Sequence, residues 1–157
     1  MYLNDIWAFY FHDPYEMDWS INSFKFINNI SKIEDFIEIY LCFKDIIHKG
    51  MFFFMREHIL PIWEDEYNNN GGCFSYKLYN DNLYEKLFNI LSLLFGENLG
   101  INNEISENIN GISISPKKNY YIVRIWIKDT KYAIKENYNF DIPKFTTVLY
   151  KKHNQLE

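Results

Sequence analysis

The chain has 157 residues, 48% of them apolar, 24% charged and 20% aromatic, with a formal net charge of −5. That length supports one domain with one sizeable core, expected here over 1–157. The acidic balance excludes a protein that grips duplex DNA or long RNA through phosphates, so a nucleic-acid partner would have to be recognised locally, through its bases.

The predicted elements follow in chain order. WAFYFH (7–12) and SINSFKFI (20–27) are aromatic, β-favouring runs separated by the turn-like DPYEMDW. SKIEDFIEIYLCFKDIIHKG (31–50) reads as a helix. Ser31 and Glu34 form a capping box, Ile33, Phe36, Ile37, Tyr40 and Phe43 recur at helical spacing, and Gly50 ends it. MFFFMREH (51–58) and CFSYKLY (73–79) read as strands, with Gly71-Gly72 suiting a hairpin-like connection. Asp81 is placed to cap a second helix, NLYEKLFNILSLLFGE, ending near Gly96, while NLGINNEISEN (98–108) is loop-like. INGISIS and YYIVRIWIK are strands around the turn PKKN. A short helix near 130–138 and a strand FTTVLYK (145–151) complete the set. Neighbouring strands with helices inserted between hairpins predict an α+β fold. Its antiparallel sheet would be covered by helices on one face and open on the other.

No catalytic set emerges. Glu64 and Glu66 suit a solvated loop, His12, His48, His58 and His153 lack zinc spacing, and there is no GxSxG or phosphate-binding glycine loop. The expectation is a binding protein, not an enzyme, with no metal and no cofactor. Cys42 and Cys73 show neither metal spacing nor a disulfide framework. No run reaches membrane-spanning length, and MYLNDIW lacks a signal-peptide pattern. The sequon at Asn29 is then idle and the compartment is expected to be the cytoplasm. Fourteen lysines against two arginines suit an AT-rich genome, a protist's or a large DNA virus's, in which case the host cytoplasm is meant.

The four tryptophans carry more information. Trp7 suits the core, and Trp126 alternates onto one strand face with Ile122 and Arg124. Trp19 and Trp63 fall in loops, Trp63 inside the acidic PIWEDEYNNNGG (61–72). Indole is costly to leave wet and a carboxylate costly to bury unpaired, so their adjacency suggests ring faces on offer to a ligand.

WAFYFH…DWSINS, IEDF, PIWEDE…NGG, LFGE and NGISISPKKN…IVRIW, in that order and spacing, resemble translation initiation factor 4E, the messenger-RNA cap-binding family. The likeness runs from residue 5 to about 153, and the PIWEDE-x4-GG block is highly specific. It implies a curved antiparallel sheet with three helices on its convex back and a 7-methylguanosine cap in the concave front. Trp19 and Trp63 match the pair that sandwiches the base, Glu64 the carboxylate that reads guanine, and Trp126 the ring at the N7-methyl group. Lys117 matches the phosphate-binding arginine, with Lys118 and Arg124 expected to share that duty.

Other positions depart from the pattern. Ile122 and Cys73 replace basic residues, and Tyr10 and Phe74 replace strand tryptophans. On the helical back, Ile37 stands for the tryptophan and Asn89 for the glutamate that hold a scaffold protein of the initiation factor 4G type, beside Ile33 and Phe88. The family's N-terminal extension and mobile C-terminal tail find no counterpart. The resemblance therefore implies a protein that binds capped messenger RNA, not DNA or membrane, as a monomer outside its complex. It would recruit messages through a scaffold. A competitor that does not engage the usual scaffold, and an interaction module without cap binding, are the alternatives.

Overall fold

The computed structural model describes residues 1–143 and 146–154. Seven strands form one antiparallel, curved sheet in the order β2-β1-β3-β5-β6-β4-β7. The strands are β1 (Tyr2–His12), β2 (Lys25–Lys32), β3 (Met51–Arg56), β4 (Gly72–Leu78), β5 (Ile109–Pro116), β6 (Tyr121–Ile127) and β7 (Leu149–Lys152). The helices are α1 (Ile33–Ile46), α2 (Leu83–Phe95) and the short α3 (Asn103–Glu107). The α+β class, the open face and the three helices are as the sequence implies.

Two-residue alternation divides the strands between two environments. Trp7 and Phe9 of β1, Phe52 and Phe54 of β3, Phe74 and Tyr76 of β4, and Val123, Ile125 and Ile127 of β6 face the helices. They meet Phe36 and Phe43 of α1 and Leu87, Ile90, Leu91, Leu94 and Phe95 of α2 in the main core. The opposite set, Ala8, Tyr10, Phe53, Met55, Cys73 and Trp126, forms a smaller cluster under the open face. Burying side chains of this size contributes about 1.5–3 kcal/mol each, so the helical side dominates stability.

Arg56 ties the sheet to the end of α2. Its guanidinium donates to Glu97 at 2.8 Å through two nitrogens, to Asp5 at 2.7 Å and to the Ile109 and Ser106 carbonyls, and lies 4.4 Å from the Trp7 ring centroid. Burial disfavours the charge, but Glu97 and Asp5 outweigh it and raise the Arg56 pKa.

Several local expectations are corrected. The β3–β4 connection is not a hairpin, because β3 lies between β1 and β5 while β4 lies between β6 and β7. Gly71 and Gly72 are required by close approach instead. A Cβ at Gly71 would stand 1.8 Å from the Ile127 carbonyl oxygen, and one at Gly72 2.2 Å from that of Lys151. Ser31 belongs to β2, so the acid that caps α1 is Asp35, which accepts from the Ser31 and Lys32 amides at 3.0 Å. Glu34 instead meets the Met1 ammonium at 3.0 Å. Asp81 does not cap α2; its N-cap is Asn82 in the left-handed region, with φ 54°.

The stretch 98–108 contains α3, capped by the Asn102 side chain accepting from Ile105 N–H at 2.9 Å. The expected helix near 130–138 is two single turns of 3-10 helix, Thr130–Tyr132 and Lys135–Asn137. The first strand starts at Tyr2, not 7, and Ile21–Ser23 is a 3-10 turn ahead of β2. The last strand starts at Leu149; Phe145 of the expected run lies outside the described residues.

Candidate functional site

A solvent-open cleft of about 570 Å³ sits on the face away from the helices. Trp19, Trp63, Glu64, Arg124 and Trp126 all line it, so loops and strands far apart in sequence converge there.

The loop between β1 and β2 presents Trp19. Carboxylates shape it: Asp13 accepts from Tyr15 N–H, Glu16 from Asp18 N–H, and Asp18 from both the Ser20 N–H and hydroxyl. The Ser20 amide holds the Asp18 carboxyl below the usual carboxylate range. Trp19 lies flat on His12, with ring centroids 3.9 Å apart and planes 6° from parallel, and Phe24 meets it edge-on. His12 is fully buried. The Asp18 carbonyl can only accept, so His12 Nε2 carries the proton, which it shares between that carbonyl at 2.9 Å and the Ser23 hydroxyl at 3.1 Å. With one face backed by imidazole, Trp19 keeps 47% of its surface exposed.

Trp63 and Glu64 sit on the β3–β4 loop, which is pinned from within. The Asp65 carboxylate accepts from the Leu60 and Tyr67 amides at 2.9 and 2.8 Å. The buried Asn68 amide donates to the Leu60 and Ile62 carbonyls at 3.0 and 2.9 Å. Asn110 of β5, at the register break between Ile109 and Gly111, donates to Asn68 Oδ1 at 2.8 Å and to the Tyr67 carbonyl at 2.7 Å. Held this way, Trp63 leaves 42% of its surface exposed. Among the described residues neither Glu64 nor Arg124 is in an ion pair.

Trp126 forms the floor and is only 8% exposed. Its Nε1–H donates to the Ser113 hydroxyl at 3.1 Å, Phe53 meets it edge-on at 6.2 Å, and His153 tilts over it at 4.8 Å. Burial drives the His153 pKa from the ordinary 6.5 down to about 4, so the imidazole there is neutral near pH 7. Burial also pushes the Cys73 thiol up, which leaves it inert.

The cations are distributed differently from the expectation. Lys117 and Lys118 are exposed in the turn between β5 and β6 and are not among the residues that line the cleft. Arg124 lines it, joined by Lys151 and Lys152 of β7, which sequence reasoning missed. Lys151 stands opposite Cys73, and therefore in the same row as Trp126 with Cys73 between them, because β7 pairs with β4 and β4 with β6. Nothing in the run YKKH announces this. By contrast, alternation along WAFYFH already sets His12 on the face of Ala8 and Tyr10.

On the helical side, Ile33 and Ile37 are exposed one turn apart on α1. Phe88 of α2 stacks on Phe36 at 5.4 Å and meets Tyr40 edge-on at 4.9 Å, and the Asn89 amide donates to Asp141 at 2.7 Å. Among the described residues no group of three or more His, Cys, Asp or Glu could hold a metal ion, and no helix is long and apolar enough to cross a membrane.

Two partly bare indoles, a carboxylate in no ion pair among the described residues, and three cations line one hollow in the open face of an antiparallel sheet backed by helices. The chain belongs to the eukaryotic initiation factor 4E family, whose model matches residues 2–157. It is 25% identical over 139 residues to eukaryotic translation initiation factor 4E of Eremothecium gossypii, covering 83% of this chain and 64% of that protein. It is 41% identical over 63 residues to an initiation factor 4E homolog of Acanthamoeba polyphaga mimivirus, 39% of this chain and 22% of the other. The matches thus span less than two thirds of these curated relatives. Among solved structures, a complex of C. elegans eIF4E-3 with the 4E-binding protein Mextli and cap analog superposes with a TM-score of 0.81 at 20% identity, over 97% of this chain and 92% of that one. Ascaris suum eIF4E-3 with the m2,2,7G cap gives 0.80 at 20% identity, over 99% and 93%. At such identities these two matches speak for the fold.

Proposed function

We propose that this chain binds the 7-methylguanosine cap of messenger RNA and recruits capped messages for translation initiation in the cytoplasm. The single observation that carries the reading is the convergence of Trp19, Trp63 and Glu64 on one cleft floored by Trp126. Methylation at N7 leaves guanine cationic, so its flat faces are drawn to indole by stacking and cation–π attraction, roughly 1–3 kcal/mol per stacked base. Trp19 and Trp63 take the two faces. The Glu64 carboxylate accepts from N1–H and the 2-amino group in paired charge-assisted bonds that adenine cannot supply. Trp126 lies toward the methyl group, and Arg124 meets the phosphates, joined by Lys151 and Lys152 in the cleft and by Lys117 and Lys118 where the phosphate chain runs toward the β5–β6 turn. The relatives' names and the cap ligands held in the superposed structures support the same ligand.

A resin bearing 7-methylguanosine triphosphate tests this directly. The protein should be retained and released by free methylated, not unmethylated, guanine nucleotide. Release by both alike would refute it.

Recruitment requires a partner on the helical face, around Ile33, Ile37, Phe88 and Asn89. A second reading, a competitor that holds caps without the usual scaffold, is favoured by the Asn89 amide, which is already engaged by Asp141. Co-purification of a large scaffold protein with the chain distinguishes the two.

A further inference from the structure

The open face continues beyond the cleft. Along β4 and β6, Cys73 pairs with Trp126, Ser75 with Arg124 and Lys77 with Ile122, so Trp126, Arg124, Ile122 and Lys77 lie on one face in successive rows. One row further, the Tyr79 and Tyr120 rings touch, with centroids 5.9 Å apart, and Lys77 Nζ stands 4.5 Å from the Tyr120 centroid. Tyr79 is 54% exposed. β7 pairs with β4 only from Gly72 to Ser75. Past Ser75 a groove of about 740 Å³ opens along the uncovered edge of β4; Lys77, Tyr79 and Ile122 line it from the open face and Tyr76 and Lys86 from the helical side, and Ser75 borders both hollows. Trp126 and Tyr120 are six positions apart, roughly 20 Å of strand at about 3.3 Å each.

A ring face with an ammonium over it, next to a second half-bare ring and to a guanidinium in no ion pair among the described residues, is the chemistry of a single-strand platform. Bases stack on the rings while cations follow the phosphates. A net charge of −5 leaves little general attraction for RNA, so such a track would act only on a strand already anchored. Stacking takes any base, so the track would not read sequence.

We propose that Arg124, Lys77, Tyr120 and Tyr79 hold the first nucleotides of the RNA chain that follows the cap. The proposal rests on the cap reading, and the experiment separates the two. The full chain, its Tyr79→Ala/Tyr120→Ala variant and its Lys77→Ala variant are titrated with 7-methylguanosine triphosphate, a capped pentanucleotide and an uncapped 5′-triphosphate pentanucleotide. The capped pentanucleotide should bind the unmodified chain about tenfold or more tighter than the mononucleotide, as one stacked base supplies. The double variant should lose that advantage while its mononucleotide affinity stays within about twofold, because stacking on the outlying rings is all it has lost. Lys77→Ala should bind the capped pentanucleotide more weakly and with a shallower salt dependence.

Equal affinity for the two capped ligands in the unmodified chain overturns the track and leaves the cap reading intact. So does an advantage that survives in the double variant, or an uncapped strand that binds as tightly as the capped one. Failure of the mononucleotide to bind the unmodified chain overturns the cap reading and the track's anchor together. If the double variant loses mononucleotide binding through misfolding, the Lys77→Ala result decides, and an unchanged salt slope there counts against the track.

Discussion

At the scale of single residues, the cleft presents groups that the protein itself leaves unused. Glu64 is exposed and in no ion pair among the described residues, so changing it should touch binding and spare folding. Glu64→Gln keeps the size but replaces an acceptor with a donor facing donors. Its dissociation constant for methylated cap analogue should rise about tenfold or more, since a hydrogen bond to a charged group contributes roughly 1.5–3 kcal/mol. Thermal melting should not change. Trp19 makes the complementary case, because its position depends on the imidazole beneath it. Removing that support in His12→Ala frees a side chain that binding must then immobilise, at about 0.5–1.5 kcal/mol, so affinity should fall some three- to tenfold. His12→Phe restores a flat backing and should recover most of it, as fluorescence titration of the three proteins would report.

At the scale of elements, the β3–β4 loop owes its shape to Asn68, which spends both amide hydrogens on the Leu60 and Ile62 carbonyls and its oxygen on Asn110. Asn68→Ala takes one partner from the buried Asn110 amide and loosens the Leu60 and Ile62 carbonyls, of which Ile62 keeps the Asp65 amide, and should cost about 1–3 kcal/mol in all. The melting temperature and cap affinity should fall together, because the same loop carries Trp63 and Glu64. This link was hidden in the sequence, where NNN beside two glycines reads as a flexible turn. What was legible is local. PIWEDE placed an indole beside a carboxylate, IVRIW placed Arg124 and Trp126 on one face by alternation, and helix periodicity found α1 and α2. What was not legible depends on strand order. Gly71 and Gly72 suggest a hairpin, yet their need for no side chain comes from Ile127 and Lys151, residues 56 and 79 positions away. Lys151 reaches the cleft only because β7 adds to the edge of β4. Capping follows the same rule: Ser31 has the pattern of a helix start, but it belongs to β2.

At the scale of the whole molecule, the two faces of the sheet divide the labour. The helical face holds most of the buried apolar area, and the open face tolerates exposed indoles and a half-buried neutral histidine. His153 makes that division measurable. Its folded pKa of about 4 lies below the ordinary 6.5, so between these values the unfolded chain binds more protons than the folded one. The stability it contributes is therefore full above pH 6.5 and lost as pH falls toward 4. Thermal melting of the free protein should decline through that window, and His153→Gln should flatten the decline. Asp35, held low by the Ser31 amide, acts only at still lower pH. The central claim concerns the cleft as a unit, and the most direct measurement is a titration of intrinsic tryptophan fluorescence with 7-methylguanosine triphosphate and with GTP in parallel. The account predicts saturable quenching by the methylated nucleotide, weakened in Trp63→Ala, and little response to GTP. Equal responses to the two nucleotides, or none to either, would contradict it.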